Sequence, residues 1–182
     1  MKNHVIGVVV ASIAVYLWGF LYWGANPLPY QTWGTSTDSA ALGEALEQYL
    51  PDSGVYYVPD VTLPEAERER LHEAGPIAFI YYHNHGAPVM DSTLMGMGFA
   101  HGVASVALLA LLLNVLRSSW SSVAQGVKIS LLVGCSAAVI INLGDAIWWR
   151  QAWDWQVHRA IYYVVFYAIA GAVLCKLAPK RA

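Results

Sequence analysis

VKISLLVGCSAAVIINLGDAIWW, residues 127–149, decides the fold. Its only charges are Lys128 near the start and Asp145 near the end. It is long enough for an α-helix to cross a hydrocarbon core, which takes about 20 predominantly apolar residues. Three further runs of the same kind, Val5–Trp23, Leu94–Leu116 and Val157–Leu177, predict four transmembrane helices and a mainly α membrane protein.

Outside these runs the charges are distributed unevenly. Ten of the 12 carboxylates lie between Asp38 and Asp91, and the others are Asp145 and Asp154. Lys2, Arg117, Lys128, Lys176, Lys180 and Arg181 all fall on one side of a four-span topology. Lys and Arg in short flanking segments tend to stay cytoplasmic, so both termini are expected inside, in a multi-pass protein of a cytoplasmic membrane. The net charge of -2 gives no reason to expect a nucleic-acid partner. A basic start and an apolar core also suit a cleaved signal peptide, but Trp23 stands where cleavage needs a small residue, so residues 1–25 read as a retained anchor. Cys135 and Cys175 fall at different depths and are not expected to pair.

The domain organisation follows: the anchor, an extracytoplasmic insert at 26–93, and a three-helix region at 94–182. Asn26-Pro27-Leu28-Pro29 ends the first helix, because proline removes a backbone donor and disfavours helix in the residue before it. Asp38 or Thr37 can cap a helix reaching about Leu50, with Ala41, Leu42, Ala45, Leu46 and Tyr49 as its apolar stripe. Val55–Val58 and Ile77–Tyr82 read as strands, and Thr62-Leu63-Pro64-Glu65 has capping-box spacing before a second helix to about Ala74. The insert is thus a small α/β cap.

Leu50–Pro59 (LPDSGVYYVP), Gly75–Phe79 (GPIAF) and Gly86–Met90 (GAPVM) resemble a group of small bacterial four-span membrane proteins with an external insert between the first and second helices. The resemblance implies this architecture and a bacterial inner-membrane location; it implies no activity. His83 and His85 depart from that pattern.

Two constellations could carry chemistry. His83 and His85, with Met90 and His101, offer imidazole and thioether donors of the kind that suit copper, and a His-x-His pair in an extended segment can present two donors. The plainer reading is histidines in a surface loop and methionines filling packing gaps. The second constellation lies within the spans. Asn142 and Asp145, three apart, share a helix face, and Asp145 sits roughly 6 Å below the end at Trp149 at about 1.5 Å per residue. A carboxylate at that depth costs at least about 2.5 kcal/mol and needs a partner, for which His158, Arg159 and His101 are the candidates. Asp145 with His101 or His158 could form an acid/base pair; alternatively the group is a polar clasp between helices.

Gly98 and Gly102 have the spacing that permits close helix approach, either to a neighbouring helix of this chain, the commoner arrangement, or to another subunit. Trp148, Trp149, Trp153 and Trp155 cluster with Tyr162, Tyr163, Phe166 and Tyr167; an interfacial belt accounts for the tryptophans, although a lipid, quinone or pigment groove with Arg150 or Arg159 for its head would use the same residues. Phosphate-binding glycine loops, nucleophile elbows, Cys-x-x-Cys and His-Glu-x-x-His motifs are all absent. The expectation is therefore a non-enzymatic membrane protein, an accessory or partner-binding subunit of a membrane complex. Copper handling is one alternative; a small membrane enzyme or a binder of a lipid-like or quinone ligand is the other.

Overall fold

The structure, a computed structural model, describes residues 2–178. Lys180 and Arg181, two of the cations assigned to the cytoplasmic side, lie outside the described residues. The chain divides into two compact units: Met1–Gly34 with Ser92–Ala182, and Thr35–Asp91.

The first unit is helical. Helix α1 (Lys2–Gly19) continues through π-helical turns at Phe20–Ala25. Helices α2 and α3 belong to the second unit and are described below; α4 is Ser92–Val115. Helix α5 starts at Val123 and reaches Trp148, with a π-helical segment at Ala138–Leu143, and α6 is Trp153–Leu177. The four long helices, α1, α4, α5 and α6, are long and apolar enough to cross a membrane, and the chain is a multi-pass membrane protein. Two of them begin one turn before their apolar runs. At α5 the cause is a capping box: the Ser122 hydroxyl accepts from the Gln125 N–H at 3.3 Å while the Gln125 side chain accepts from the Ser122 N–H at 3.3 Å.

Packing within this unit rests on a row of small residues. Gly126, Ser130, Gly134, Ala138, Asn142 and Ala146 recur every fourth position along α5 and are all buried. A Cβ on Gly126 would overlap the Cys175 sulfur, and one on Gly171 would overlap the Ser130 hydroxyl. One on Gly134 would lie 3.1 Å from the Val164 Cα. The backbones of α5 and α6 therefore touch almost directly. In a straight α-helix a row of every fourth residue drifts by about 40° per step. The π-helical turns at Ala138–Leu143, with more residues per turn, swing the row back and keep Asn142 and Ala146 on the seam.

Helix α1 lies on α6, where Gly7 meets Leu174 (3.7 Å from an added Cβ) and Trp18 donates its indole N–H to the Tyr162 carbonyl at 3.3 Å. Helix α4 is anchored in one half only. Val106, Leu109 and Leu113 are buried in the core with Ala11, Val15, Trp120, Phe166 and Leu174. Trp120 ties the following loop down by donating to the Leu113 carbonyl at 2.9 Å, with the Arg117 guanidinium 4.0 Å over its ring. Every residue from Ser92 to His101, by contrast, is exposed. Tyr16 bridges to this half, donating to the Met95 carbonyl at 3.3 Å and meeting the Phe99 ring edge-on at 5.3 Å. The Gly98 and Gly102 face does not pack on a neighbouring helix as expected: a Cβ at either position would meet nothing within 4 Å. The close seam is the one on α5, built from Gly126 and Gly134.

The second unit holds α2 (Ser39–Tyr49), β1 (Gly54–Val58), α3 (Glu65–Ala74) and β2 (Ala78–Tyr82). The strands pair antiparallel, with Val55 opposite Tyr81 and Tyr57 opposite Phe79. Asp38 caps α2, accepting from the Ala40 and Ala41 N–H groups at 3.0 Å. The capping box expected at Thr62 does not form. Pro64 occupies the cap of α3, and the Thr62 N–H and hydroxyl instead donate to Asp60, each at 2.8 Å. These two bonds, the backbone one foremost, hold the Asp60 carboxyl below its usual range. Residues 26–34 cluster with the helices, and the second compact unit begins at Thr35. Tyr30 donates to the Trp23 carbonyl at 2.6 Å and Trp33 packs 5.5 Å from Trp155, which folds this stretch back on the helix ends.

The glycine geometry separates two substitutions. Gly134→Leu should destabilise the helical unit by about 1–3 kcal/mol through overpacking, whereas Gly96→Ala, inside α4 where an added Cβ meets nothing, should not destabilise it and should raise stability by up to about 1 kcal/mol through helix propensity. Unfolding of the purified protein in mixed micelles measures both, and equal effects would show that the seam is not where stability resides.

Candidate functional site

The half of the helical unit that α4 fails to close contains a cavity of about 600 Å³. Helix α1 contributes Val15, Tyr16, Gly19, Phe20, Trp23 and Gly24, and α4 contributes Met95, Gly98, His101, Gly102 and Ser105. The floor comes from Ala137 and Ile141 of α5 and from Tyr162, Tyr163, Phe166 and Tyr167 of α6. Both π-helical segments border it: Phe20, Trp23 and Gly24 come from one and Ile141 from the other. Such segments often mark functional positions, because they shift side chains off the regular helical register.

The lining is aromatic and apolar and contains no Lys, Arg, Asp or Glu among the described residues. Its polar groups fall into two kinds. The Tyr16 hydroxyl is engaged by the Met95 carbonyl, and the Ser105 hydroxyl donates to the His101 carbonyl at 3.1 Å. The His101 imidazole and the hydroxyls of Tyr162, Tyr163 and Tyr167 make no hydrogen bond to the described residues. His101 and Ser105, four apart on α4, share one face.

The intramembrane carboxylate lies elsewhere, on the α5–α6 seam. Arg159 Nη1 donates to Asp145 Oδ2 at 3.0 Å, with the two side chains 24 and 25% exposed. The same nitrogen donates to Gln156 Oε1 at 3.1 Å, and Asn142 Nδ2 donates to that oxygen at 2.9 Å. Gln156 Nε2 in turn donates to Gln151 Oε1 at 2.5 Å. Arg150, at φ 53°, turns the chain between the two helices and sets Gln151 within reach. Of the three candidates for Asp145's partner, the structure provides Arg159. Asn142 Oδ1 is buried and has no hydrogen-bond partner among the described residues.

His158 is engaged with α1. The Tyr22 hydroxyl donates to the His158 carbonyl at 2.9 Å and lies 3.2 Å from its Nδ1, where an Nδ1–H can donate back. Asp145, His101 and His158 are thus occupied in three different ways: on the seam, in the cavity and against Tyr22. Trp148 and Trp149 are exposed and, like Asn142 and Arg159, do not line the cavity. Gln156 and Gln151 were not expected at the site. The signal for Gln156 is its spacing from Arg159, three residues on one helix, which mirrors Asn142 and Asp145 on the other.

His83, His85 and Met90 belong to the second unit and His101 to the helical one. The rings of His83 and His85 lie 6.0 Å apart, and His83 Nδ1 is 3.0 Å from the His85 carbonyl oxygen. Among the described residues no group of three or more His, Cys, Asp or Glu side chains is arranged to hold a metal ion.

No protein-family model, curated protein or solved structure matches this chain.

The polar seam predicts a coupled pair. Asp145→Asn and Arg159→Gln should each destabilise the protein, and the double variant should cost less than the sum by about 1–2 kcal/mol, between the values for exposed and fully buried pairs. Additive losses in a double-mutant cycle on micellar unfolding would show that the pair contributes nothing as a pair.

Proposed function

We propose that this chain is a multi-pass protein of the bacterial cytoplasmic membrane that binds a lipid-like ligand between α4 and the other helices. Both termini are cytoplasmic in this reading and the insert is extracytoplasmic. The observation that carries the binding role is the cavity of about 600 Å³, within the range of about 300–1,000 Å³ typical of small-molecule sites. It is walled by aromatic and apolar side chains and borders a helix half that is exposed along its whole length. A void of this size forfeits the dispersion contacts of all its lining atoms, which favours an occupant drawn from the bilayer. The orientation is supported by Arg117, Lys128 and Lys176 at one end of the spans. Asp145, Arg159, Gln156 and Asn142 serve as a clasp in this reading, holding α5 to α6 beside the cavity.

A second reading, an accessory subunit that docks through its insert, draws on one specific observation. Val55 and Tyr81 face each other across the two strands and are 60 and 72% exposed, an apolar pair suited to a partner's surface. Purification from native membranes in mild detergent should then recover a stoichiometric partner that Val55→Lys/Tyr81→Lys releases, and a chain recovered alone would end that reading.

For the ligand, native mass spectrometry of the full chain is the direct measurement. Wild-type protein should carry a bound amphiphile, and Gly98→Leu, which extends into the cavity, should reduce that occupancy several-fold without lowering the melting temperature. Equal occupancy in both would overturn the binding role.

A further inference from the structure

The chemistry of the lining narrows the ligand, and we infer that the cavity takes an uncharged amphiphile with a flat, hydrogen-bonding ring head, of the quinone and quinol class, with the head at His101. The inference rests on the lipid-binding reading above. Three features of the site carry it.

The first is charge. No Lys, Arg, Asp or Glu among the described residues lines the cavity, and Asp145 and Arg159 are bonded to each other at 3.0 Å on the seam. A phosphate or carboxylate head placed here would lose its hydration without gaining a counter-charge, which is costly in a low-dielectric site. Anionic phospholipids and fatty acids are therefore poor occupants with their heads inside.

The second is hydrogen-bonding capacity. A purely apolar chain would need no polar groups, yet His101, Tyr162, Tyr163 and Tyr167 line the cavity, and their imidazole and hydroxyls make no hydrogen bond to the described residues. A neutral imidazole carries one donor and one acceptor nitrogen. It can donate to a ring carbonyl or accept from a ring hydroxyl, so the oxidised and reduced forms of such a head are both accommodated. Ser105 is spent on the His101 carbonyl, which leaves the imidazole as the polar group that α4 offers.

The third is shape. Phe20 and Trp23 on α1 and Tyr162 and Phe166 on α6 line the same space. The Trp23 and Tyr162 rings lie 5.3 Å apart with their planes at 57°, and the Tyr162 and Phe166 rings 6.2 Å apart at 54°, a tilted aromatic lining that a planar ring can meet by face or by edge. An isoprenoid tail can leave past the exposed half of α4, where Gly98 and Gly102 present no side chain.

The test uses the full chain in nanodiscs of phosphatidylcholine and a quinone with a single isoprene unit as probe, followed by tryptophan quenching and by calorimetry. Saturable binding is expected, with His101→Leu weakening it about tenfold, the equivalent of one hydrogen bond. His101→Gln should retain most of the affinity, Gly98→Leu should abolish binding, and added phosphatidylglycerol should not compete. Unsaturable quenching, insensitivity to His101→Leu or displacement by phosphatidylglycerol would each overturn the ring-head inference. If native mass spectrometry still finds a phospholipid that Gly98→Leu removes, the ring-head inference fails and the lipid-binding reading survives. If Gly98→Leu alters neither ligand, both fail.

Discussion

The near-contact of α5 and α6 is the constraint on which the rest of the helical unit depends. Lipid tails are as apolar as leucine, so helices inside a bilayer gain little from burying apolar surface and associate through close packing and hydrogen bonds. Gly126, Ser130 and Gly134 remove the side-chain bulk that would hold two helices apart, and Gly171 does the same on the opposite side. The hydrogen bonds follow from that proximity. Asn142 and Asp145 reach Gln156 and Arg159 at 2.9 and 3.0 Å because the backbones are already close. With α6 fixed against α5, its other face is free for α1, through Trp18, Tyr22 and the residues around Gly7.

Helix α4 is what remains, and its two halves meet different conditions. Val106, Leu109 and Leu113 interdigitate with the α1 and α6 core, and Trp120 closes the connection to α5. On the N-terminal side of Val106 the α4 residues that line the cavity are Met95, Gly98, His101, Gly102 and Ser105, and the two glycines leave the space opposite Tyr162 and Phe166 unfilled. The cavity is thus a direct product of side-chain volume. Leucine every fourth residue would have closed the helix onto its neighbours; glycine leaves it open at one end and anchored at the other.

How much of this is legible in the sequence differs by element. The four spans are readable because a hydrocarbon core imposes length and apolarity together, and Asp145 is readable as a residue in need of a partner because its burial is costly. The starts of α5 and α6 are not, since the apolar run records the lipid while the helix is set by its cap, and Ser122 and Gln125 lie outside the run. The π-helical turns carry no residue signature of their own. Gly98 and Gly102 have the familiar seam spacing, yet the seam is the α5 row from Gly126 to Ala146, which the sequence displays equally plainly. Spacing alone does not say whether a smooth face meets a helix or an empty space, because that depends on what the other helices place opposite it. For the same reason the cavity is a tertiary property that no local pattern encodes.

The separation of the ionisable groups bears on what the protein can do. A carboxylate acting as a general base needs a lone pair directed at its substrate. Asp145 accepts from Arg159, lies on the seam and borders no part of the cavity, so its charge is committed to holding two helices together. His158 is similarly committed to Tyr22 through both its backbone carbonyl and its ring. His101 is in the opposite situation. Its carbonyl serves Ser105, while its imidazole makes no hydrogen bond to the described residues and His101 lines the cavity. Of the three residues that the sequence singles out for acid/base chemistry, the carboxylate is structural and one imidazole is left at the cavity. That distribution fits a site that recognises an uncharged head by hydrogen bonding better than one that moves protons between paired ionisable groups.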